Sequence, residues 1–574
     1  MNFAQLKKSA KRSVEGLPAV KLALLGDSPT QLLHVALRGY AAESGLDLRV
    51  FEADYDQIER QILDPSSELY AFAPKHTLVF PSTQKLHARF AKSELAQRAA
   101  FAERELSHWR TLVARLEAAG HDVLLCNFPE PGDDVFGNFA NKTAQSFTHQ
   151  LRKLNVGLMQ LAQEHKALFI VDLAAMHAAL GRDALFSSTT YATTGMVYSV
   201  EGWVPFAKRV IEIVASLRGT VRKALVLDLD NTVWGGVIGD DGMEGIELGS
   251  LGLGPAFHAL QTWAKQLKER GVILAVCSKN DDAIAREPFE KHPDMVLRLS
   301  DIAVFVANWE NKVDNLRHVQ RVLNIGFDAM VFIDDSPFER GMVRTGIPEL
   351  CVPELPADPA DYALYLRGLN LFETASFSEE DSQRTRQYQE EAKRSAAQHT
   401  FADEDEYLAS LDMVSVVKPF DRFDTPRIAQ LSQRSNQFNL RTVRYTERDI
   451  EQLRDDPNVI GLSFSLADQY GEHGLIAVAI VRDQGGGEGF IDTWLMSCRV
   501  LKRGMEQFVL NTLAAAARER GLARLVGEYL PTAKNALVKD HYRALGFQPD
   551  GERWSLALNG FVPGRVHIRE KKAP

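Results

Sequence analysis

The residues that invite chemistry first are two acids that close an apolar run, Asp228 and Asp230, in the stretch from Leu225 to Thr232 (LVLDLDNT). A four-residue apolar strand does not ordinarily finish in two carboxylates. Residues two apart on a strand point the same way, roughly 6.6–6.8 Å along the chain, so both acids are expected to face one spot and repel each other. A bound divalent cation relieves that repulsion, and hard oxygen ligands of this kind suit Mg²⁺ together with a substrate phosphate. A second apolar run, Met330 to Ile333, also ends in acids, Asp334 and Asp335. Between the two lies Ala275 to Asn280 (AVCSKN), which sets the Ser278 hydroxyl at a third strand end, and Lys312 stands where a helix is predicted to start. Carboxylates at parallel strand ends converge at the carboxyl edge of the sheet, where open α/β folds bind ligands. A nucleophilic carboxylate, a hydroxyl, a lysine and a metal-binding acid form a phosphoryl-transfer set.

Those strand ends belong to the middle of a chain of 574 residues, too long for one hydrophobic core. Hydrophobic residues make up 45% and charged residues 25%, an ordinary globular balance. A net charge of −10, without a long basic block, argues against a nucleic-acid or anionic-membrane partner. The four cysteines, Cys126, Cys277, Cys351 and Cys498, lie far apart with no paired spacing, which excludes a disulfide framework and fits a reducing cytoplasm. Neither a signal-peptide core nor a membrane-length apolar run is present.

Periodicity gives three domains. Residues 1–218 show a strand over 20–25, a helix over 30–42 and a strand over 47–52. Apolar runs at 76–80, 122–126 and 167–171 then alternate with helical stretches such as 88–119, predicting a parallel α/β sheet. Residues 219–375 repeat the pattern with runs at 224–227, 272–276 and 329–333. Residues 376–393 read as a charged helical connector. The final domain, to residue 574, carries strands at 412–418, 459–466, 475–481 and 489–496, a glycine hairpin at 484–489 and a helix from about 504 to 520. The glycine-rich stretch from Trp234 to Gly242 is either a mobile flap over the acids or an ordinary hairpin.

The order of the acid pair, Ser-Lys-Asn, lysine and Ile-Asp-Asp resembles the four motifs of the haloacid-dehalogenase superfamily. That resemblance implies Asp228 as the nucleophile that forms an aspartyl phosphate, Asp230 as general acid/base, and Ser278 on the phosphoryl oxygens. It further implies Lys312 balancing their charge, and Mg²⁺ held by Asp228, Asp230 and Asp334, with Asp335 a weaker candidate. Lys279, Asn280, Asn231 and Trp234 are expected beside the substrate or its phosphate.

Longer runs are more specific. Leu227–Gly242 (LDLDNTVWGGVIGDDG), Cys277–Asn280 (CSKN), Phe332–Arg340 (FIDDSPFER) and Ser497–Leu501 (SCRVL) resemble the FkbH family of polyketide biosynthesis. The resemblance implies an enzyme that takes 1,3-bisphosphoglycerate, removes its phosphates and loads the glyceryl unit onto the phosphopantetheine arm of an acyl carrier protein. In the last domain, Asn535 to Phe547, with HYRALGF at its end, resembles the closing motif of the GNAT acyltransferase fold. That fold holds the pyrophosphate of coenzyme A on a helix N-terminus opened by a glycine-rich turn. Here the turn reads Arg499 to Gly504 (RVLKRG), with Lys502 where the first glycine is expected, which speaks against free coenzyme A and leaves a carrier arm. Arg499, Lys502, Arg503, Asn535 and Tyr542 are the expected arm contacts. Cys498, among positive charges before that helix, is a candidate acyl acceptor, and Cys277 is its rival. Gly26-Asp27-Ser28 resembles the first motif of SGNH hydrolases, but the Asp-x-x-His partner is missing and Ser28 reads as a helix cap. The expected architecture is therefore α/β with three domains: an SGNH-like sandwich without catalysis, a haloacid-dehalogenase-like core and a GNAT-like α+β domain. Two rival functions stand beside glyceryl transfer: a phosphatase for a free small phosphorylated metabolite, and a scaffold that tethers carriers without chemistry.

Overall fold

A computed structural model describes residues 1–132, 135–377, 385–388, 390, 403–497, 500–532 and 534–571. It divides into two compact units, Met1–Ala215 and Ser216–Pro574.

The first unit is built on five strands: β1 (Ala19–Gly26), β2 (Asp47–Glu52), β3 (His76–Phe80), β4 (Asp122–Cys126) and β5 (Leu168–Val171). All pair in parallel, in the order β2-β1-β3-β4-β5. The doubly wound order 2-1-3-4-5 follows when crossovers run first to one side of the opening strand and then to the other. Strands β3 and β4 are buried throughout, as parallel strands covered on both faces must be, and the two covering layers form separate apolar clusters. The helical stretch expected over 88–119 is interrupted: helices Thr83–Lys92 and Phe101–Ala118 are separated by a 3₁₀ turn at Leu95–Ala100. Ser28 does not cap the following helix. The N-cap of Gln31–Glu43 is Thr30, whose hydroxyl donates to Glu52, while the Ser28 hydroxyl is buried without a hydrogen-bond partner.

The second unit holds two sheets. One is a four-stranded parallel sheet of β6 (Ala224–Leu227), β7 (Ile273–Ser278), β8 (Ile302–Ala307) and β9 (Met330–Ile333), in the order β8-β7-β6-β9. From the central β6 the chain winds outward through β7 and β8, then crosses back to place β9 on the other side. Strands 6, 7 and 9 are wholly buried. Alternation sorts β7 between two layers, Leu274 and Val276 in one cluster, Ala275 and Cys277 in the other.

The other sheet has eight strands: β10 (Met413–Pro419), β11 (Val459–Asp468), β12 (Gly471–Asp483), β13 (Glu488–Met496), β14 (Arg524–Gly527), β15 (Gln548–Asp550), β16 (Arg553–Ala557) and β17 (Ile568–Lys571). Their order is β15-β16-β14-β13-β12-β11-β10-β17, antiparallel except for the β13–β14 and β10–β17 pairs. The β12–β13 loop contains Gly485, Gly486 and Gly487, all at positive φ, as a hairpin of that sequence requires. Strands 13 and 14 pair only over residues 488–490 and 524–526, then part. The freed length of β13 is taken by the chain itself: Leu440 N–H donates to Trp494 C=O, Met496 N–H donates to Phe438 C=O, and Leu530 N–H donates to Leu440 C=O. Asn439 and Asn535, both fully buried, fasten this insert. The Asn535 side chain donates to Asn439 C=O and Leu530 C=O.

His541 sits against this insert, edge-on to Phe438 and Trp494 at centroid distances of 4.9 and 4.5 Å. Burial lowers its pKa from 6.5 to about 3, so the ring is folded in its neutral form. A depressed folded pKa contributes stability that is complete above 6.5 and drains as pH falls toward 3. At pH 5 the loss attributable to this residue is about 2 kcal/mol. Urea titrations at pH 7 and pH 5 are expected to show that His541→Phe loses less stability on acidification than the parent by about that amount.

Candidate active site at the carboxyl edge of the parallel sheet

The register of the four-stranded sheet assembles the acids. Leu227 pairs with Val276 on one side and Ile333 on the other, and the Asp228 N–H donates to Ile333 C=O at 2.9 Å, so Asp228 and Asp334 leave adjacent strand ends side by side. Lys312 is the first residue of helix Lys312–Leu323, which is capped by Asn311. Its ammonium lies 2.9 Å from Asp228 Oδ1 and 2.5 Å from Asp334 Oδ2. A cation at a helix N-terminus opposes the helix dipole, and here two carboxylates outweigh that cost. Asp228, Lys312 and Asp334 are 5%, 4% and 0% exposed, so the charges meet with little water between them. Burial raises the pKa of both aspartates, with each other's charge adding to the rise at Asp334 and Lys312 opposing it. Their charges hold the lysine firmly protonated against its own burial.

Asp335 completes a trio: one carboxylate oxygen each from Asp228, Asp334 and Asp335 lie within 4.8 Å of one another, a separation that one divalent cation can span. The Asp230 carboxylate, expected in the ligand set, is not among the clustered groups. Its Oδ1 accepts from Trp234 Nε1 at 2.9 Å and Ile238 N–H at 3.1 Å, and its Oδ2 accepts from Asn280 Nδ2 at 2.9 Å. Burial still raises its pKa above the ordinary carboxylate value, which suits a group that gives and takes a proton. Trp234 and Asn280 thus orient Asp230, and Trp234 is completely buried. Asn231, expected at the phosphate, adopts φ +55° and closes the turn instead, its side chain accepting from Gly236 N–H at 3.0 Å. The stretch expected as a hairpin or flap contains the short helix Ile238–Gly245 above a bridge between Gly235 and Glu247.

Ser278 is buried and its hydroxyl hydrogen-bonds Asp228, within the same cluster. Lys279 pairs with Glu339 at 2.6 Å on the rim. Cys277 lies in the opposite apolar layer, completely buried, with its thiol pKa pushed up by desolvation, a setting that disfavours the thiolate an acyl acceptor needs. Two further residues hold the acid loop. The Asp335 N–H donates to Thr232 Oγ1 at 3.1 Å, and Arg340 Nη1 donates to the carbonyls of Asp334 and Asp335 at 2.7 Å each while its guanidinium pairs with Glu354. A guanidinium seven residues after the apolar run of β9 is the signal that could have singled out Arg340.

In the other sheet, Cys498 and Arg499 lie outside the described residues. Lys502 is exposed at φ +62°, its N–H donating to Glu506. Arg503 is buried beside Asp468 and His473 at 3.4 and 3.2 Å. Asn535 is consumed by the insert described above. Tyr542 is buried with its hydroxyl unpartnered, packed so tightly over Gly527 that a Cβ there would sit 2.3 Å from the ring. None of Arg503, Asn535 and Tyr542 is presented to solvent as the expected arm contact.

A parallel sheet whose strand ends gather Asp228, Ser278, Lys312 and Asp334, with Asp230 poised beside them, is a phosphatase core of the haloacid-dehalogenase type. The model of the FkbH N-terminal domain matches residues 21–215. The N-terminal part of the protein BF1531 from Bacteroides fragilis, containing a phosphatase domain and crystallised with Mg, is 48% identical, with a TM-score of 0.64 over 66% of this chain and 100% of that one. The chain belongs to the FkbH family. A quarter of the chain also aligns with the ribosomal-protein-S18-alanine N-acetyltransferase of Escherichia coli at 18% identity and TM-score 0.20. The spermidine N-acetyltransferase of Vibrio cholerae aligns at 12% and 0.21, and these alignments cover 94% and 96% of the two enzymes. No curated protein matches. Among the described residues no helix is long and apolar enough to cross a membrane.

Lys312→Met leaves two buried carboxylates uncompensated. It is expected to cost about 3–5 kcal/mol in urea denaturation. Added Mg²⁺ should raise the variant's unfolding midpoint more than the parent's, because a cation among the three acids replaces the lost charge.

Proposed function

We propose that the chain is a Mg²⁺-dependent phosphatase coupled to acyl transfer, acting on 1,3-bisphosphoglycerate and loading its glyceryl unit onto the phosphopantetheine thiol of an acyl carrier protein. The observation that carries the phosphatase half is the buried contact of Lys312 with Asp228 and Asp334, beside Asp335. Asp228, Asp334 and Asp335 fit Mg²⁺ by chemistry and spacing, and the 48% identical BF1531 fragment was crystallised with that ion. When bound, the ion neutralises the phosphoryl oxygens as charge builds on them.

The chain's own groups divide the chemistry. An oxygen of Asp228 attacks phosphorus, the bond from phosphorus to the substrate oxygen breaks, and Asp230 gives its proton to that leaving oxygen. Water then attacks phosphorus, Asp230 takes a proton back, and inorganic phosphate departs with the Asp228 carboxylate restored. Ser278 and Lys312 hold the phosphoryl oxygens meanwhile. In the transfer half, the carrier thiolate attacks the acyl carbon of the acyl phosphate, forming the thioester as the carbon–oxygen bond to phosphate breaks. The family resemblance supports this half, and the three-domain division at 218 and 375 belongs to the same reading.

One observation favours the second reading, hydrolysis of a free phosphorylated metabolite: the freed edge of β13, on which an extended acyl arm would pair, is filled by residues 438–440. Incubation with Mg²⁺, 1,3-bisphosphoglycerate and a matched holo-carrier, following phosphate release and carrier mass, separates the two. Glyceryl mass on the carrier is expected; phosphate release without it leaves hydrolysis alone. Asp228→Asn is expected to abolish phosphate release from the phosphomonoester, and Asp230→Asn to slow it by about 10²–10⁴.

A further inference from the structure

The first residues of the parallel strands border a second space. A cavity of about 320 Å³ is lined by Lys223, Ile273 and Ala329, where β6, β7 and β9 begin, and on its other side by residues of the segment from Arg427 to Phe438. It lies at the end of the sheet opposite the acids, about 16 Å away along the six residues of β7. Its size is within the roughly 300–1,000 Å³ of small-molecule sites. Three features define what would fit.

The first is charge. Four basic residues, Lys223, Arg427, Arg434 and Lys534, line the cavity against one acid, Asp328, in a chain whose net charge is −10. Several are held in place by neutral groups as well: the Lys223 ammonium donates to Arg434 C=O at 2.6 Å, and Arg434 Nη2 donates to Thr374 Oγ1 and Ser376 C=O at 3.0 Å. Lys534 pairs with Asp328. The second is a set of amides: Gln430, which accepts from Arg427; Asn436, which accepts from Arg444 and donates to Gly219 C=O; and Gln437, able to donate and accept along an extended backbone-like ligand. The third is the exit. Phe438, Met496 and Ser497 form part of the wall, so the cavity abuts the chain insert that closes the edge of β13 and reaches the residue that precedes Cys498 in sequence.

A ligand with one phosphoryl group, a chain carrying two amides and a narrow apolar stretch matches this succession of cations, amides and apolar wall. Resting on the carrier-loading function above, we propose that the cavity holds the 4′-phosphopantetheine chain, with its phosphate among Lys223, Arg427, Arg434 and Lys534 and its thiol end toward Met496 and Ser497. The arm thus enters beneath the parallel sheet and leaves the filled edge of β13 undisturbed.

Titration calorimetry of the full chain with free 4′-phosphopantetheine, inorganic phosphate, apo-carrier and holo-carrier tests this. Binding of phosphopantetheine is expected, at least tenfold weaker in Arg434→Gln and in Lys534→Gln, with inorganic phosphate binding far more weakly. Melting temperatures within a few degrees of the parent certify the fold, and Lys534, 43% exposed, serves if the Arg434 variant fails that check. Holo-carrier is expected to lose affinity in parallel while apo-carrier does not, which assigns the chain to the carrier-borne source. No binding of phosphopantetheine to the parent, equal affinity in folded variants, or phosphate binding as tightly as phosphopantetheine overturns the proposal. The failure of carrier loading reads differently: a parent that binds phosphopantetheine yet adds no mass to holo-carrier refutes the transfer function and leaves the cavity assigned. A parent that loads the carrier while both variants keep its KM refutes the cavity.

Discussion

Placing three carboxylates within 4.8 Å of one another in a buried strand-end crevice is unfavourable by itself, and the chain accepts it because Lys312 stands among them. The desolvation of each charge is offset only by the others, so the cluster is stable as a set and costly when broken. Everything around it serves that set. The parallel register brings Asp228 and Asp334 side by side, Asn311 fixes the start of the helix that delivers Lys312, and Arg340 clamps the carbonyls of the acid loop from behind. A site that needs a lysine to fold is also prepared for chemistry, since the same ammonium can turn to an incoming phosphoryl group without a new charge entering.

Much of this was legible because strands announce their ends. Asp228, Ser278 and Asp334 each follow an apolar run, and residues at the carboxyl ends of adjacent parallel strands must meet. Asp230 was legible as a participant but not in its place. Alternation predicts that it points with Asp228, yet the strand stops at Leu227, and the left-handed turn at Asn231 carries the carboxylate to Trp234, Ile238 and Asn280. The same alternation, applied to β7, sets Cys277 and Ser278 on opposite faces and places Cys277 in an apolar layer.

The eight-stranded sheet was harder to read. Strands 10, 11 and 13 appear in the sequence within two residues of their observed bounds and β12 only as its middle, 475–481, whereas β14 to β17 span three to five residues and carry too few side chains to show a period. The insert at 438–440 has no strand signature, because its stability comes from tertiary hydrogen bonds, Asn535 among them, and not from its own composition. Asn535 and Tyr542, which a motif marks for ligand contact, are both buried, Asn535 fastening the insert and Tyr542 packed over Gly527. A local pattern records that a position is constrained, not which neighbour constrains it.

The low rim over the acids has a kinetic corollary. Between Gly235 and Glu247 the chain raises only one short helix, and Asn231 beside it is exposed, while Asp228 beneath is only 5% exposed. Under the proposed mechanism the acyl phosphate formed on Asp228 is reached by water only through that opening, so its hydrolysis is paced by how far the opening admits solvent. On the proposed carrier-loading reading, fidelity then depends on order: an activated acyl carbon is conserved only if the carrier thiolate captures it before its own phosphate enters the crevice.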